Sequence, residues 1–239
     1  MERVLYAGSC AADGATSLTD IDNDMHRESG SKSGSGRKHR LGSHEVLFYE
    51  GDRADRIYEV LEGVMMLYKL LPDGRRQVVY VLRAGDMLGF TNHDTFDCTA
   101  EALTAVELQV YETREVATSP LLQHYVNRCL LSQMEHLHDH TVLLGRKSAM
   151  ERVATFLMSL VPDRGGANCS GPANPDVPDA RSVVLSMTRQ EIADYLGLTI
   201  ETVSRVISQL KRKGLIKVEK QDSIQIQNVC GICQLTGMH

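Results

Sequence analysis

Short apolar segments separated by glycine occupy the chain from residue 42 to about residue 111. Gly51, Gly63, Gly74 and Gly85 follow one another at intervals of 12, 11 and 11 residues, and a turn residue about every 8 to 12 positions is typical of all-β rolls and sandwiches. Within this region, the segment 72–74 (Pro-Asp-Gly) predicts a hairpin, because proline presets the first turn angle and glycine permits the positive φ that follows. We therefore predict a β-roll, with strands within 45–49, 56–61, 64–68 and 78–82.

A helical period replaces this pattern between residues 120 and 144. Apolar positions recur there at spacings of four and three residues, which is the pattern of a coiled-coil seam over about two heptads. We predict a long helix that pairs with the same helix of a second copy in a parallel homodimer. The alternative is a helix that packs only within its own chain, because two heptads fall short of the three or four that define a coiled coil. The predicted interface residues are Leu130, Met134, Leu137, Thr141 and Leu144.

Two helices around a glycine are predicted between residues 188 and 213, and this is the most specific pattern in the chain. Thr188 and Glu191 have the spacing of a capping box and start the first helix. Gly197 permits a tight turn, Thr199 caps the second helix, and Gly214 ends it. A helix-turn-helix also needs a small residue where the helices cross and a buried apolar set. These requirements are met by Ala193 and by Ile192, Leu196, Leu198, Val203 and Val206.

Two alternating segments, 215–220 and 223–227, follow around a polar turn and predict a β-hairpin wing. In a winged helix-turn-helix the second helix enters the major groove of DNA. Because its valines must point inward, the side chains predicted to face the bases are Glu201, Ser204 and Arg205. Arginine pairs with guanine, glutamate accepts from the cytosine amino group, and serine contacts a base edge or a phosphate. The alternative for Glu201 is a first-turn acid that interacts with the helix dipole.

Charge is distributed unevenly along the chain, whose formal net charge is −5. Residues 181–220 hold eight basic and four acidic residues, so this segment carries +4 and the remainder −9. A basic module on an acidic body is the charge distribution of a DNA-binding domain attached to a regulatory one. Phosphate contacts contribute affinity without reading sequence, and the predicted ones are Thr188, Arg189, Thr199, Lys211, Lys213 and Lys217.

Residues 1–41 carry little hydrophobic periodicity and include a Gly/Ser run at 29–36 and four basic residues at 37–40. Such a run buries too little apolar surface to offset its chain entropy, so we predict a disordered N-terminal tail. We interpret the basic cluster as the solvated end of a linker, with contact to DNA or polymerase as the alternative. The Pro/Gly/Asn-rich segment 162–180 is predicted to be an exposed loop.

The composition is that of an ordinary globular protein, with 42% hydrophobic and 24% charged residues. No apolar run reaches the roughly 18 residues of a membrane span, and the N-terminal apolar stretch is shorter than a signal core. We therefore expect a cytoplasmic location and no membrane contact. The predicted fold is α+β, with a tail (1–41), a cyclic-nucleotide-binding-like β-roll (42–115), a long dimerisation helix (116–146) and a C-terminal winged helix-turn-helix (147–239). The roll holds no triad, phosphate loop or paired carboxylates, so we do not expect an enzyme.

The segment 188–205 (TRQEIADYLGLTIETVSR), together with the glycine-punctuated roll and the long helix, resembles the CRP/FNR superfamily of bacterial transcription regulators. The resemblance covers roughly residues 42–235, and Glu201, Ser204 and Arg205 match its FNR-type reading triplet. It implies a homodimer that binds a palindrome of the form TTGAT, four base pairs, ATCAA, and that activates transcription through RNA polymerase. The recognition segment is most similar to the FixK branch, which activates genes of microoxic respiration, nitrogen fixation and denitrification.

The resemblance also bears on what the roll binds. FNR holds an iron–sulfur cluster through N-terminal cysteines and one in the roll, whereas this chain has only Cys10 in its tail and Glu107 at the roll position. Residues 85–89 resemble the start of the cyclic-nucleotide phosphate cassette, but residues 97–100 lack the family's arginine, the bidentate partner of the phosphate. We therefore expect no cofactor. The alternative is a regulator of the same superfamily whose roll senses haem, nitric oxide or another small ligand.

Other cysteines and histidines have less specific patterns. Cys230 and Cys233 have redox-motif spacing, and we interpret them as small apolar residues packed on the wing, with a regulatory disulfide as the alternative. His136 and His140 are an i, i+4 pair without a third ligand, so we expect a solvated helix face and no metal site. Cys98, Cys129 and Cys169 are interpreted as structural. The hairpin 72–76 and the loop 163–180 are the candidate polymerase contacts, by exposure alone.

Overall fold

A computed structural model describes residues 37–162, 164, 171, 179–220 and 222–237. These residues form two compact units. One unit contains residues 37–70 and 79–135, and the other contains residues 71–78 and 136–237. The long helix between residues 120 and 146 runs from one unit into the other.

The first unit is a β-roll of two four-stranded sheets, with strand orders β1-β8-β3-β6 and β2-β7-β4-β5. Pairing is antiparallel, with Tyr58 opposite Val110 and Met66 opposite Glu101. The four predicted strands are present, and β1, β6, β7 and β8 are additional. The bounds are β1 Arg37–Leu41, β2 Val46–Phe48, β3 Arg56–Glu62, β4 Val64–Leu70, β5 Arg76–Arg83, β6 Met87–Leu88, β7 Thr99–Ala102 and β8 Val106–Glu112.

Apolar side chains from both sheets fill the roll, because alternate residues of each strand point inward. Val60, Met65, Leu82 and Leu108 are fully buried, and Phe48 stacks on Phe96 with ring centroids 3.7 Å apart. The turn from β3 to β4 requires glycine. Gly63 has a φ of +93°, and a Cβ there would collide with the Ala105 carbonyl oxygen.

The expected boundary of the disordered tail at residue 41 is wrong. Arg37–Leu41 forms strand β1 and pairs along its whole length with β8. Lys38 and Arg40 both form ion pairs with Glu107 on that strand, and these bonds hold the pKa of the Glu107 carboxyl below its usual value. The four basic residues 37–40 are exposed, as predicted, but they belong to a strand and not to the end of a linker. The preceding residues, 1–36, lie outside the described part of the chain.

Two helices follow the roll. The sequence predicted a single helix over residues 116–146, and this prediction is wrong at its N-terminal end. Helix α1 spans Thr113–Thr118 and helix α2 spans Pro120–Arg146. The break has a local cause, because proline disfavours helical backbone at the residue before it, and Ser119 has extended dihedrals.

Polar contacts attach the first half of α2 to the roll. The Tyr125 hydroxyl lies 3.2 Å from the Gly85 carbonyl oxygen and 3.3 Å from a carboxylate oxygen of the buried Glu59. The Tyr111 hydroxyl donates to the other oxygen of Glu59 at 2.9 Å. Burial raises the pKa of Glu59, against the opposing effect of these two hydrogen bonds.

The described residues of the second unit form four further helices and a three-stranded sheet of order β10-β11-β9. Strand β9 was not predicted, because its four residues follow the polar loop without a turn signal of their own. No helix among the described residues is both long and apolar enough to cross a bilayer. The bounds are α3 Ala149–Ser159, β9 Arg181–Val184, α4 Arg189–Leu196, α5 Ile200–Arg212, β10 Ile216–Lys220, β11 Ser223–Ile226 and α6 Val229–Gln234.

Candidate DNA-binding and dimer interfaces

The predicted caps form the two helices of the helix-turn-helix. The Thr188 hydroxyl accepts from the Glu191 backbone N–H, and the Glu191 carboxylate accepts from the Thr188 N–H, so the capping box is complete. Gly197 ends α4 in left-handed geometry, with φ +59° and ψ +42°. Thr199 then caps α5 by accepting from the Thr202 N–H at 3.3 Å.

Burial of the apolar set fixes which face of α5 is exposed. Ala193 and Val203 are fully buried, whereas Leu198, also expected in the core, is half-buried. Glu201, Ser204 and Arg205 are all exposed, and residues three and four apart share a helix face. The three predicted base-reading side chains therefore lie together, with the geometry that major-groove readout needs. Their base contacts stay predictions.

The two charged members of this triplet already make contacts. The pKa of Glu201 lies below its usual value, because its carboxylate accepts hydrogen bonds from its own backbone N–H and from Thr199. This is the first-turn arrangement that was the alternative interpretation of Glu201, and the residue is exposed as well. The Arg205 Nη2 lies 3.4 Å from the Thr202 hydroxyl, which orients the guanidinium.

The predicted phosphate contacts divide into two groups. The first group is exposed and contains Thr188, Thr199, Lys211, Lys213 and Lys217. Arg189 is half-buried, its Nη1 is buried without a hydrogen-bond partner among the described residues, and burial lowers its pKa. Arg189 is therefore less available for phosphate than the sequence suggests.

Two exposed side chains lie beside the predicted DNA contacts but were not among the predicted site residues. Ile200 is 37% exposed in the first turn of α5, and an apolar side chain that enters the major groove can contact a thymine methyl group. Arg212 is exposed in the last turn beside Lys211 and Lys213. Both could have been predicted from the sequence, because each is adjacent to a predicted contact residue.

The predicted dimer residues form a largely exposed row along α2. Within the single chain Leu130 is 40% exposed, Met134 47% and Leu137 42%, and Thr141 is exposed as well. Leu144 differs because it is half-buried and lies against Gly197. An uncovered apolar row on a helix is a candidate interaction surface, and the pairing of two copies along it stays a prediction.

His140 is not on a solvated helix face, so that interpretation is wrong for this residue. It is 8% exposed, and its ring stacks on Tyr195 of α4 with centroids 4.4 Å apart. Both ring nitrogens are buried without a hydrogen-bond partner among the described residues. Burial, and secondarily the positive charge of Arg152, lowers the pKa of His140 to about 4.

We expect His140 to make the protein less stable to unfolding at mildly acidic pH. The folded state favours the neutral ring, so stability is unaffected above the unfolded pKa near 6.5 and falls as the pH drops from there toward 4. The expected loss between pH 7 and pH 5 is about 2 kcal/mol. Urea unfolding of the wild type and of His140→Phe, which keeps an aromatic ring on Tyr195, measures the difference. A loss of equal size in both proteins would contradict the assignment.

The base of the 72–76 hairpin is less exposed than predicted. Residues 71–78 belong to the same unit as the helix-turn-helix, and Arg76 Nε donates to the Asp194 carboxylate at 2.9 Å. The tip of the hairpin, residues 72–75, is exposed. Its contact with RNA polymerase stays a prediction. The second candidate loop, 163–180, lies mostly outside the described residues.

The remaining cysteines differ in environment. Burial, with Asp97 adding to it, raises the pKa of the Cys98 thiol to about 11. Cys233 is buried, whereas the half-buried Cys230 accepts from Arg164 Nη2 at 3.3 Å instead of packing as an apolar residue. Cys10 and Cys169 lie outside the described residues.

Comparisons with known proteins match both units. The Crp-like helix-turn-helix domain matches residues 151–235, and the cyclic nucleotide-binding domain matches residues 38–118. The nitrogen fixation regulation protein FixK of Bradyrhizobium diazoefficiens is 40% identical over 191 residues, 77% of this chain and 75% of the relative. FixK of Rhizobium meliloti is 38% identical over 183 residues, 75% and 78% of the two chains. The structure of FixK2 from Bradyrhizobium japonicum superimposes with a TM-score of 0.71 at 31% identity, covering 85% of this chain and 98% of that one.

Proposed function

Because the chain belongs to the CRP/FNR family of transcription regulators, we propose that it acts as a FixK-type homodimer on the palindrome TTGAT, four base pairs, ATCAA. The observation that carries this proposal is the shared exposed face of Glu201, Ser204 and Arg205 on α5. Arg205 pairs with the guanine of each half-site, Glu201 accepts from the cytosine on the opposite strand, and Ser204 contacts a neighbouring base edge or phosphate.

The apolar row on α2 supports the homodimer. Its exposed leucines and methionine recur at coiled-coil spacing, and a second copy of the same helix offers the matching surface. A two-fold axis along this seam presents two identical recognition helices to two inverted half-sites, as a palindrome requires.

The regulated genes follow from the similarity to FixK. The two FixK relatives are named for nitrogen fixation regulation, and we place this protein among activators of microoxic, nitrogen-fixation or denitrification genes. It acts in the cytoplasm, where the DNA and RNA polymerase are, and the exposed tip of the 72–76 hairpin is the proposed polymerase contact.

The roll needs no bound effector in this proposal. Residues 97–100 lack the arginine that pairs with the phosphate in the cyclic-nucleotide cassette. One cavity beside them, lined by Leu88, Phe96 and Cys98 among others, has a volume of about 50 Å³, whereas small-molecule sites occupy roughly 300 to 1,000 Å³. Cyclic AMP is therefore expected to leave DNA affinity unchanged. A cyclic-AMP titration of the protein–DNA complex measures this, and a rise in affinity at micromolar nucleotide would contradict it.

Footprinting tests the proposed site directly. The expected result is protection of both half-sites on a duplex that carries the palindrome, with protection of both lost when one half-site is scrambled. Protection of a single half-site that persists after the other is scrambled would contradict a dimer that reads a palindrome.

A further inference from the structure

The guanidinium of Arg152 joins three segments of the DNA-binding unit. Arg152 lies in the first half of α3, and its side chain is half-buried. Nε donates to the Lys147 carbonyl oxygen at 2.9 Å, Nη2 to that of Leu144 at 2.7 Å, and Nη1 to that of Leu196 at 2.8 Å. Nη1 also lies 3.4 Å from the Gly197 carbonyl oxygen.

Two of these carbonyls belong to the ends of different helices. Leu144 is in the last turn of α2, and Leu196 is the last residue of α4. The last four carbonyls of a helix have no intrahelical donor and carry the negative end of its dipole. One guanidinium therefore satisfies both ends at once, and its planar fork fixes the directions in which it does so.

Packing around the guanidinium leaves little room for adjustment. A Cβ at Gly197 would lie 3.3 Å from Leu144 Cδ2 and 3.4 Å from Arg152 Nη1, so three segments meet at this point. The His140 ring on Tyr195 is a second contact between α2 and α4. Lys147 Nζ donates to the Thr155 hydroxyl at 3.0 Å, which ties the segment after α2 to α3.

We propose that Arg152 is a positioning residue for DNA recognition, which sets the orientation of the helix-turn-helix relative to the end of the dimer helix. This inference rests on the proposed palindrome binding. The dimer seam lies on α2, whereas α5 reads the bases, and the Arg152 bonds join the end of α2 directly to the turn that precedes α5. In a dimer, the two Arg152 side chains thereby determine the separation and rotation of the two recognition helices.

The consequence is selectivity for the spacing between half-sites. Adding or removing one base pair rotates one half-site by about 35° relative to the other, so a rigid dimer tolerates only one spacing. Without the guanidinium bonds, the recognition helices adopt a wider range of orientations. The affinity at the preferred spacing then decreases. The difference in affinity between the preferred spacing and the other spacings decreases as well.

The test compares wild type with Arg152→Lys on duplexes whose half-sites are separated by three, four or five base pairs. Lysine keeps the charge but lacks the fork. For Arg152→Lys we expect about a tenfold or greater loss at four base pairs, since avidity requires a geometry in which both modules engage. Preference over the other two spacings should largely disappear, while affinity for random duplex stays unchanged. Arg146→Lys is the matched control, because Arg146 is an exposed arginine at the end of α2.

Each outcome decides one point. Loss of affinity with spacing preference retained would show a purely structural role and overturn the proposal, as would no change in Arg152→Lys. Wild type that binds none of the palindromes would instead overturn the proposed function. Thermal melting and sedimentation accompany the binding data, and Arg152→Gln replaces Arg152→Lys in all arms if the lysine variant does not fold as a dimer.

Discussion

Replacing Leu137 by aspartate is expected to convert the dimer to a monomer and to reduce affinity for the palindrome by about 100-fold or more. Leu137 lies in the middle of the exposed α2 row and is 42% exposed in the single chain. In a parallel dimer the same residue of both copies meets at the seam, so the substitution places two carboxylates against each other in an apolar interface. Binding to each separate half-site is unchanged, but the two modules no longer act as one linked pair.

Val142→Asp is the matched control for this prediction. Val142 is on the same helix, is 55% exposed and lies one residue beyond Thr141, outside the predicted row. Sedimentation and DNA-binding titration of both variants should show a monomer only for Leu137→Asp. A dimer that survives Leu137→Asp, or one that both substitutions disrupt equally, would place the interface elsewhere.

The second large effect is expected for Arg205→Ala. The substitution should cost about 1–3 kcal/mol at each matched half-site, because a bidentate arginine–guanine pair is lost. Discrimination should weaken at the G·C pair of the half-site, where only Glu201 still accepts from the cytosine, and it should stay unchanged at the position that Ser204 contacts. Titrations with duplexes that vary each half-site position in turn measure this change.

Lys213→Ala separates base reading from phosphate binding. Lys213 is exposed at the end of α5, where a phosphate contact adds affinity without sequence information. Its removal should weaken matched and random DNA alike and reduce the salt slope by about two for a dimer. If both variants lost the same affinity on matched and random DNA, the assignment of base reader and phosphate contact would be wrong.

Local chemistry made the helix-turn-helix predictable. Thr188 with Glu191 and Thr199 with Thr202 satisfy backbone groups within three residues, and Gly197 adopts a φ that other residues rarely reach. Short-range signals of this kind are visible in sequence, so α5 begins directly after Thr199 and ends before Gly214, as predicted.

Long-range pairing was not predictable in the same way. Strand β1 looked like a polar linker, because its partners Glu107 and Val106 lie more than 60 residues away. Strand β9 exists through its pairing with β11. The burial of His140 depends on Tyr195, which lies 55 positions further along the chain. The spacing of apolar residues along α2 gives no indication of this contact. The hydrogen bonds of Arg152 likewise depend on two helix ends that only the folded chain brings together.

Equilibrium binding to a labelled TTGAT, four base pairs, ATCAA duplex tests the central claim most directly. Purified protein is titrated in air and under argon, without added ligand, against the matched duplex and a scrambled duplex of the same composition. We predict equally tight and specific binding in both gases, by a dimer that needs no effector. Equal affinity for matched and scrambled duplex would contradict sequence-specific recognition. Binding under argon alone would contradict an effector-free regulator and place oxygen sensing in the protein itself.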